Sequence, residues 1–405
     1  MLVQFKFKNF GPFRDEAIID MRAIRAYKEH PYNLIVERGN NHYLKYSAIY
    51  GANASGKSNF VEAYDTFLTI VQWSFSKNDK HSSESVLSSY YKPYLFDDAY
   101  VDSDTEFEGI FHNETAEYRY GFSYNRDRIT YEWLYKKTLE TGRQVKIFER
   151  SEDDGIVLGS SVKRACEKYL LDIDDDVLAL SFFSSLKLRT HVFKEALLCI
   201  TSILPVSGML SKLLDENLNR TFFNSKFDDD EKKQLLSFLS AIDVGIKDIT
   251  VEKSNNNIAV YTYHTCANKD LRKVPIEIES DGTRKAISIY SLFRTAISEN
   301  YGLIIDELNT QLHPILVKYL VDLFSTEATS GQLIYTTHDT TMLDKKYMRR
   351  DQVWFTSKDE DGRSSLYSLA EFKVRNDESF EKEYLGGVFG AIPILKDFSF
   401  KGDTK

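Results

Sequence analysis

The eight residues Gly51-Ala52-Asn53-Ala54-Ser55-Gly56-Lys57-Ser58 constrain the fold of this chain more than any other feature. They fit the pattern G-x4-G-K-[ST] without a mismatch. An apolar segment ends at Tyr50 just before them, and an amphipathic helical pattern from Asn59 to Phe75 follows. Glycines in such a loop let backbone amides turn inward, and the start of the helix adds positive charge. The segment therefore predicts a phosphate-binding loop in an α/β fold.

Each residue type in the loop has a predicted role. Lys57 is placed to supply positive charge to the β- and γ-phosphates of a nucleotide, and Ser58 is placed to offer its hydroxyl to Mg²⁺. A match at this position between strand and helix argues against a chance occurrence. The predicted nucleotide-binding residues here are Gly51, Asn53, Ala54, Ser55, Gly56, Lys57, Ser58 and Asn59.

A second apolar run, Gly302 to Ile305, ends in Asp306 and Glu307. In a parallel sheet, ligands bind at the carboxyl ends of the strands, so both acids are expected beside the phosphate loop. We expect Asp306 to hold Mg²⁺ through its water shell and Glu307 to orient or deprotonate the attacking water. Taken alone, the pair is equally compatible with a strand that simply ends in a polar turn.

The patterns elsewhere predict a composite fold. Strong alternation from Thr105 to Lys137 predicts an antiparallel meander, and alternating helix and strand patterns after Gly282 predict a covered parallel sheet. Residues 43–50 read as one continuous strand, and residues 177–204 read as helical. Because 249 residues separate Lys57 from Asp306, the meander and a helical segment must lie between the two halves of one nucleotide-binding fold.

Composition excludes several classes of protein. The net charge of −9 does not indicate a general nucleic-acid binder, although a local basic face remains compatible with one. Cys166, Cys199 and Cys266 are too scattered for a disulfide framework or a zinc module. No run of 18 apolar residues predicts a membrane span, and the alternating N-terminus reads as a strand and not as a signal peptide. We therefore expect a cytoplasmic protein with no membrane partner.

Further segments follow the loop in a characteristic order. Glu279-Ser280-Asp281-Gly282-Thr283 opens a helix, residues 308–314 (LNTQLHP) follow Glu307, and His338 follows the strand pattern of residues 334–337. The set resembles the signature, D-loop and switch histidine of the ABC-type ATPase heads shared by SMC, Rad50, RecF and OLD proteins. Asn309 and Gln311 depart from the usual Asp and Ser of the D-loop, and no glutamine marks a Q-loop.

The resemblance implies an ATP- and Mg²⁺-dependent ATPase of the α/β class, with a P-loop NTPase ABC-type head, a mixed sheet, an antiparallel β meander and an inserted helical subdomain. Its implied division is 1–152 and 248–405 for the head and 153–247 for an inserted lid or dimer-contact subdomain. Two heads would sandwich ATP, with Ser280, Gly282 and Thr283 contacting the nucleotide of the partner. Catalytic roles would fall to Glu307, His338 and Lys57, and assembly beyond the homodimer is left open.

The C-terminal segment from Tyr384 to Pro393 is similar to the tail of stand-alone bacterial ATPases of anti-phage and abortive-infection systems, of the RloA and AbiLi type. This similarity implies a sensor or regulator that controls a separate effector, a nuclease or a toxin. Only 67 residues follow His338, which is short for the nuclease domain of OLD proteins. The alternatives are a RecF-like ATPase of DNA metabolism and a non-catalytic ATP-binding scaffold, which Glu307 argues against.

Overall fold

The computed structural model describes residues 1–37, 41–75, 85–206, 228–254, 257–373 and 379–393. Strands and helices are numbered here in chain order. The strands are β1 Leu2–Lys8, β2 Ala17–Asp20, β3 Leu34–Glu37, β4 Asn41–Leu44, β5 Tyr46–Gly51, β6 Thr105–His112, β7 Ala116–Tyr124, β8 Ile129–Thr138, β9 Gln144–Ser151, β10 Gly155–Leu158, β11 Ile203–Val206, β12 Ile246–Ser254, β13 Asn257–Thr265, β14 Leu271–Pro275, β15 Gly302–Ile305, β16 Leu333–Thr336, β17 Val353–Lys358 and β18 Ser364–Ser368. The α-helices are α1 Lys57–Trp73, α2 Val86–Tyr90, α3 Asp98–Val101, α4 Lys163–Cys166, α5 Ala179–Ser185, α6 Val192–Ile200, α7 Asp229–Ala241, α8 Asp281–Glu299, α9 Pro314–Glu327 and α10 Phe380–Leu385.

A seven-stranded antiparallel sheet contains the predicted meander. Its order is β10-β9-β8-β7-β6-β1-β2, so the N-terminal strands extend the meander formed by residues 105–138. Along β7, the alternation of tyrosines and phenylalanines with polar residues places aromatic rings on the buried face. The antiparallel meander is therefore confirmed.

A six-stranded sheet, in the order β11-β15-β16-β5-β17-β18, is parallel except for its last strand. The central strands β5, β15 and β16 are buried along their whole length, as their continuous apolar sequences require. Their carboxyl ends lie at one edge of the sheet, where Gly51 ends β5 and where Asp306 and Thr337 follow β15 and β16. The predicted α/β class, with a parallel sheet and an antiparallel one, is confirmed.

The parallel sheet separates two hydrophobic cores. On one face, helix α1 packs between the two large sheets, and its Phe67 stacks on Phe111 and Phe122 of the meander with ring centroids 6.1 and 5.8 Å apart. On the other face, Tyr50 and Tyr335 pack with helices α8 and α9. Burial of each large side chain contributes roughly 1.5–3 kcal/mol, so this packing stabilises the position of α1 between the sheets.

Two local predictions differ from the structure. Residues 43–50 are not one strand: the chain breaks at Lys45, β4 pairs with β3, and β5 enters the parallel sheet. The Lys45 backbone N–H donates to Asn33 beside β3 and its carbonyl accepts from Leu333 of β16, so the chain passes from one sheet to the other at this residue. Its ammonium donates to the Ser325 carbonyl, 2.6 Å away. Residues 177–204 form α5 and α6 and then begin β11, since periodicity alone does not separate a short apolar strand from a helix.

The segment 153–247 contributes to both large sheets as well as being helical. Strand β10 closes the meander, β11 pairs in parallel with β15, and α5 and α6 pack into the core around α1. Part of the segment, residues 207–227, lies outside the described residues. The division into domains at 152 and 247 stays a prediction.

Candidate functional site

The phosphate loop follows β5 and ends where α1 begins at Lys57. Ala54 and Gly56 have φ of +60° and +113°, values that turn the backbone back on itself. A Cβ on Gly51 would lie 2.5 Å from the carbonyl oxygen of Thr356, and one on Gly56 would lie 2.9 Å from the Phe13 ring. Gly51 is therefore required by the close approach of the Thr356 backbone, and Gly56 by its φ and by the adjacent Phe13 ring.

Lys57 is held inside this loop. Its ammonium donates to the carbonyl oxygens of Gly51 at 2.9 Å and Ala52 at 3.0 Å, and the side chain is only 5% exposed. Burial lowers the pKa of Lys57 to about 8, although Asp306 and Glu307 favour its charged form. The loop thus contains a poorly solvated cation, which anionic phosphate oxygens would stabilise.

The other predicted loop residues divide into buried and accessible ones. The Ser55 hydroxyl is buried and shares a 2.6 Å hydrogen bond with Thr356, so its side chain fixes the loop. Asn53, Ala54 and Ser58 are exposed, and Asn59 is half-buried. The Ser58 hydroxyl at the first turn of α1 is thus accessible to a ligand.

The two acids that follow β15 are fixed by Thr336 on the neighbouring strand. The Thr336 hydroxyl donates to Asp306 Oδ1 at 2.6 Å and accepts from the Glu307 backbone N–H at 2.7 Å. Asp306 is 3% exposed, and Glu307 has a φ of +48°, in the left-handed region. The Thr310 hydroxyl donates to Glu307 Oε2 at 3.1 Å. Both carboxylates are therefore positioned by neighbouring polar groups.

His338 completes the cluster at the end of β16. Its ring lies close enough to Gly51, Lys57 and both acids for each of them to act on its protonation. Desolvation, together with the charge of Lys57, lowers the pKa of His338 below its usual value, and Glu307 and Asp306 oppose this shift. The imidazole is consequently neutral at pH 7. The structure thus brings the phosphate loop, both acids and His338 together at one edge of the parallel sheet.

The predicted signature turn lies at the start of α8. Ser280 is exposed, and its hydroxyl accepts from the Thr283 backbone N–H at 3.1 Å, which caps the helix. A Cβ on Gly282 would lie 2.9 Å from the carbonyl oxygen of Gln311, whose side chain donates to Asp281 at 3.2 Å. The turn therefore packs against the D-loop segment of its own chain and leaves the Ser280 side chain at the surface.

The D-loop segment contacts the residue before His338. The Asn309 side-chain oxygen accepts from the Thr337 hydroxyl at 2.9 Å. The His313 ring caps α9 by accepting from the Ile315 backbone N–H at 3.2 Å, and Pro314 occupies the first helical position. Asn309 is therefore bound within its own chain.

Sequence reasoning missed three residues of this site. Thr336 bridges the two acids, Lys285 on α8 donates to backbone carbonyls of the turn that carries Glu307, and Tyr384 on α10 packs behind the phosphate loop. The Tyr384 ring lies 5.9 Å from Tyr50 and stacks at 5.6 Å on Phe355. The available signals were weak: a threonine at a strand end, and an aromatic residue inside the C-terminal segment already noted.

The lowered pKa of Lys57 predicts a pH-dependent affinity for nucleotide. Bound phosphates favour the ammonium form, as do Asp306 and Glu307, so binding above pH 8 requires uptake of a proton. Affinity should stay constant below the pKa of about 8 and fall above it, by up to about tenfold per pH unit. Equilibrium titration with a fluorescent ATP analogue from about pH 7 to 9.5 measures this. Lys57→Arg is the control, because arginine stays charged over this pH range, and its affinity should not change with pH. An equal fall in affinity with pH in both proteins would contradict the assignment to Lys57.

Comparison with known proteins gives one family match. Residues 47–344 match a family model described as "AAA domain, putative AbiEii toxin, Type IV TA system". A comparison with curated proteins gives no match. The family model spans the phosphate loop, the signature turn, both acids and His338 in a single match.

Solved structures of SMC head domains are also similar to the chain. One is an SMC head bound to the C-terminal winged-helix domain of ScpA, at 15% identity and a TM-score of 0.46, covering 91% of this chain and 97% of that one. The head domain from Thermotoga maritima has 15% identity and a TM-score of 0.41, with 92% and 99% covered. The head with coiled coil and joint from Pyrococcus yayanosii has 12% identity and a TM-score of 0.45, with 96% and 99% covered.

No helix in the described ranges is long and apolar enough to span a membrane.

Proposed function

The chain belongs to this AAA-domain family, and we propose that it binds and hydrolyses ATP as a nucleotide-driven dimer switch of the ABC type. One observation carries the proposal. Lys57, the strand-end acids and His338 lie at the same edge of the parallel sheet, although 249 residues separate Lys57 from Asp306. A lysine for the phosphates, a carboxylate for Mg²⁺ and a carboxylate for the attacking water are groups that phosphoryl transfer uses, and a neutral imidazole lies beside them.

Binding of the triphosphate would rest on the loop and on Lys57. The loop backbone presents amides at the start of α1, where the helix dipole adds positive charge. Lys57 would exchange its two carbonyl acceptors for phosphate oxygens and recover full charge. Ser55 and Thr356, which hydrogen-bond beneath the loop, keep the backbone in that curve.

The donor set near the loop fits Mg²⁺. Magnesium in nucleotide sites is held by one or two protein oxygens together with substrate phosphates and water. The exposed Ser58 hydroxyl and the Asp306 carboxylate supply such a pair. Among the described residues, no cluster of three His, Cys, Asp or Glu side chains forms a separate metal site. Bound Mg²⁺ would neutralise charge that develops on the phosphates.

Hydrolysis would depend on Glu307 as general base. Its carboxylate receives a hydrogen bond from Thr310, and its backbone is fixed by Thr336. The neutral His338 ring lies near Gly51 and Lys57 at the mouth of the loop, a position suited to contact the γ-phosphate. A positioned general base contributes typically 10²–10⁴-fold to a rate.

Dimerisation would follow from the exposed signature turn. Ser280 caps the 19-residue helix α8, and its side chain is at the surface while its hydrogen bonds remain inside the turn. A helix N-terminus with an accessible serine and glycine suits the phosphate of a nucleotide held by a second copy. The binding of Asn309 within its own chain indicates that the D-loop contributes little to contacts across such an interface.

The finer biological role that we propose is regulation in bacterial defence against phage, of the RloA and AbiLi type, with a separate nuclease or toxin as effector. Two observations support it: the family's own description names a toxin system, and the C-terminal segment similar to such ATPases packs behind the phosphate loop through Tyr384. The C-terminal segment therefore packs on the strand that leads into the phosphate loop, which suits a switch.

Phosphate release from ATP by the purified chain tests the proposed activity. We expect turnover that requires Mg²⁺ and stops with EDTA, and no increase with duplex DNA, because the net charge of −9 opposes phosphate backbones. Absence of turnover under all conditions would contradict the ATPase assignment. A strong, salt-dependent and ATP-dependent gel shift with plain duplex DNA would instead support a RecF-like role.

A further inference from the structure

Lys285 is a buried lysine outside the sequence motifs. It lies in α8, five residues after Ser280, and only 1% of its side chain is exposed. Its ammonium donates to the carbonyl oxygen of Glu307 at 3.1 Å and to that of Thr310 at 2.6 Å. The side chain thus crosses from the helix to the turn that carries the proposed catalytic base.

Burial of this lysine is costly. Desolvation lowers its pKa to about 8, although Glu307 and Asp306 favour the charged form. Lysine is almost never fully buried unless its charge is compensated. Two carbonyl acceptors and two nearby carboxylates supply that compensation here. Even so, a compensated buried charge often gives no more stability than an apolar residue of similar volume, so stability alone does not explain a lysine at this position.

The turn that Lys285 contacts needs support. Glu307 has a φ of +48°, in the left-handed region that a residue with a Cβ adopts only under strain. Within the turn, the Thr310 N–H donates to the Glu307 carbonyl at 3.1 Å, and the Thr310 hydroxyl donates to the Glu307 carboxylate at 3.1 Å. Lys285 binds both ends of the same turn, so its loss would free the backbone on which the carboxylate sits.

We propose that Lys285 is a positioning residue for the hydrolytic reaction: by binding the carbonyls of Glu307 and Thr310 it holds the Glu307 carboxylate in place for the attacking water. The proposal rests on the ATPase function proposed above. It assigns Lys285 no contact with nucleotide, so ATP affinity should not depend on it. Misplacement of a catalytic group by about 1 Å costs of order a hundredfold in rate.

Lys285→Met, which keeps the length of the side chain and removes its donors, is the main variant. We expect kcat to fall between about ten- and a hundredfold with the Kd for ATP unchanged. The melting temperature should fall only slightly, because a desolvated charge is removed while two carbonyl oxygens lose a donor. Lys285→Gln keeps two donors and should give an intermediate kcat. Lys45→Met is the matched control, since Lys45 also donates to a backbone carbonyl, that of Ser325, but lies at the opposite end of β5.

Combination with Glu307→Gln separates positioning from other effects. Because Lys285 acts through Glu307, the double variant should hydrolyse ATP no more slowly than Glu307→Gln alone.

A wild-type kcat in Lys285→Met, or a parallel loss of kcat, ATP affinity and melting temperature, would overturn the inference. If Lys285→Met does not fold, Lys285→Gln decides: a lower kcat at unchanged Kd supports the inference, and a wild-type kcat or lost binding overturns it. Failure of the ATPase proposal is distinguishable, because the wild type would then be inactive.

Discussion

Lys57→Ala is expected to abolish nucleotide binding. The variant removes the buried ammonium that donates to the carbonyls of Gly51 and Ala52. In the nucleotide complex this ammonium would donate to the β- and γ-phosphates instead. Removing one partner of a desolvated charged contact costs about 2–5 kcal/mol, which corresponds to a loss of affinity between about 30-fold and several thousandfold. Calorimetric titration with Mg–ATP should therefore give no measurable heat at concentrations that saturate the wild type.

The loss should not be a folding defect. Burial lowers the pKa of Lys57 to about 8, so the native state gains little from the charged side chain, and the melting temperature without nucleotide should be unchanged. Lys45→Ala, at the other end of β5, is the matched control and should bind ATP normally. Expressed with its flanking genes, Lys57→Ala should also lose the protection against phage that we propose for the wild type. Normal binding in this variant would remove the loop from the proposed function.

The phosphate loop and the acidic strand were predictable because their signals are local. The loop motif is contiguous, and its flanking strand and helix follow from periodicity in the adjacent residues. The common edge followed from a general property of parallel strands, whose carboxyl ends coincide. β5, β16 and β15 lie side by side in that arrangement, which places Gly51, Thr336 and Asp306 within one cluster.

The supporting contacts were not predictable because they join residues far apart in sequence. Lys285 and Thr336 contact Glu307 from 22 and 29 residues away. A lysine in an amphipathic helix is normally solvated, so the sequence of α8 gives no reason to place one in the interior. Only tertiary structure shows that the helix faces the backbone of the acidic turn.

The same reason explains the local errors. The sequence of β11 continues a helical pattern, yet the segment pairs with β15. The backbone of β15 offers hydrogen-bonding partners on that side, and sequence periodicity cannot reveal them. Lys45 interrupts an apolar run because Asn33 and Ser325 supply partners for its backbone and side chain. In both cases a tertiary partner outweighs the local pattern.

Glu307→Gln is expected to bind ATP and to stop at the bound state. Glutamine matches the size of glutamate, and the backbone contacts of residue 307 with Thr336 and Lys285 do not involve its side chain. The geometry of the turn should therefore persist while the base is lost, and turnover should fall about 10²–10⁴-fold. An ATP sandwich that is not hydrolysed keeps its two copies together.

Size-exclusion chromatography coupled to light scattering measures this state. With Mg–ATP, Glu307→Gln should elute at twice the 46.9 kDa of one chain, and without nucleotide it should elute as the wild type does. Glu327→Gln, at the end of α9, should behave as wild type because it removes the same charge at a place away from the site.

Adding Ser280→Arg to Glu307→Gln should prevent the dimer while ATP binding remains, since the proposed contact with the partner lies at Ser280, the exposed cap of α8. Wild-type turnover in Glu307→Gln would exclude this residue as the base, and a dimer that survives Ser280→Arg would place the interface elsewhere.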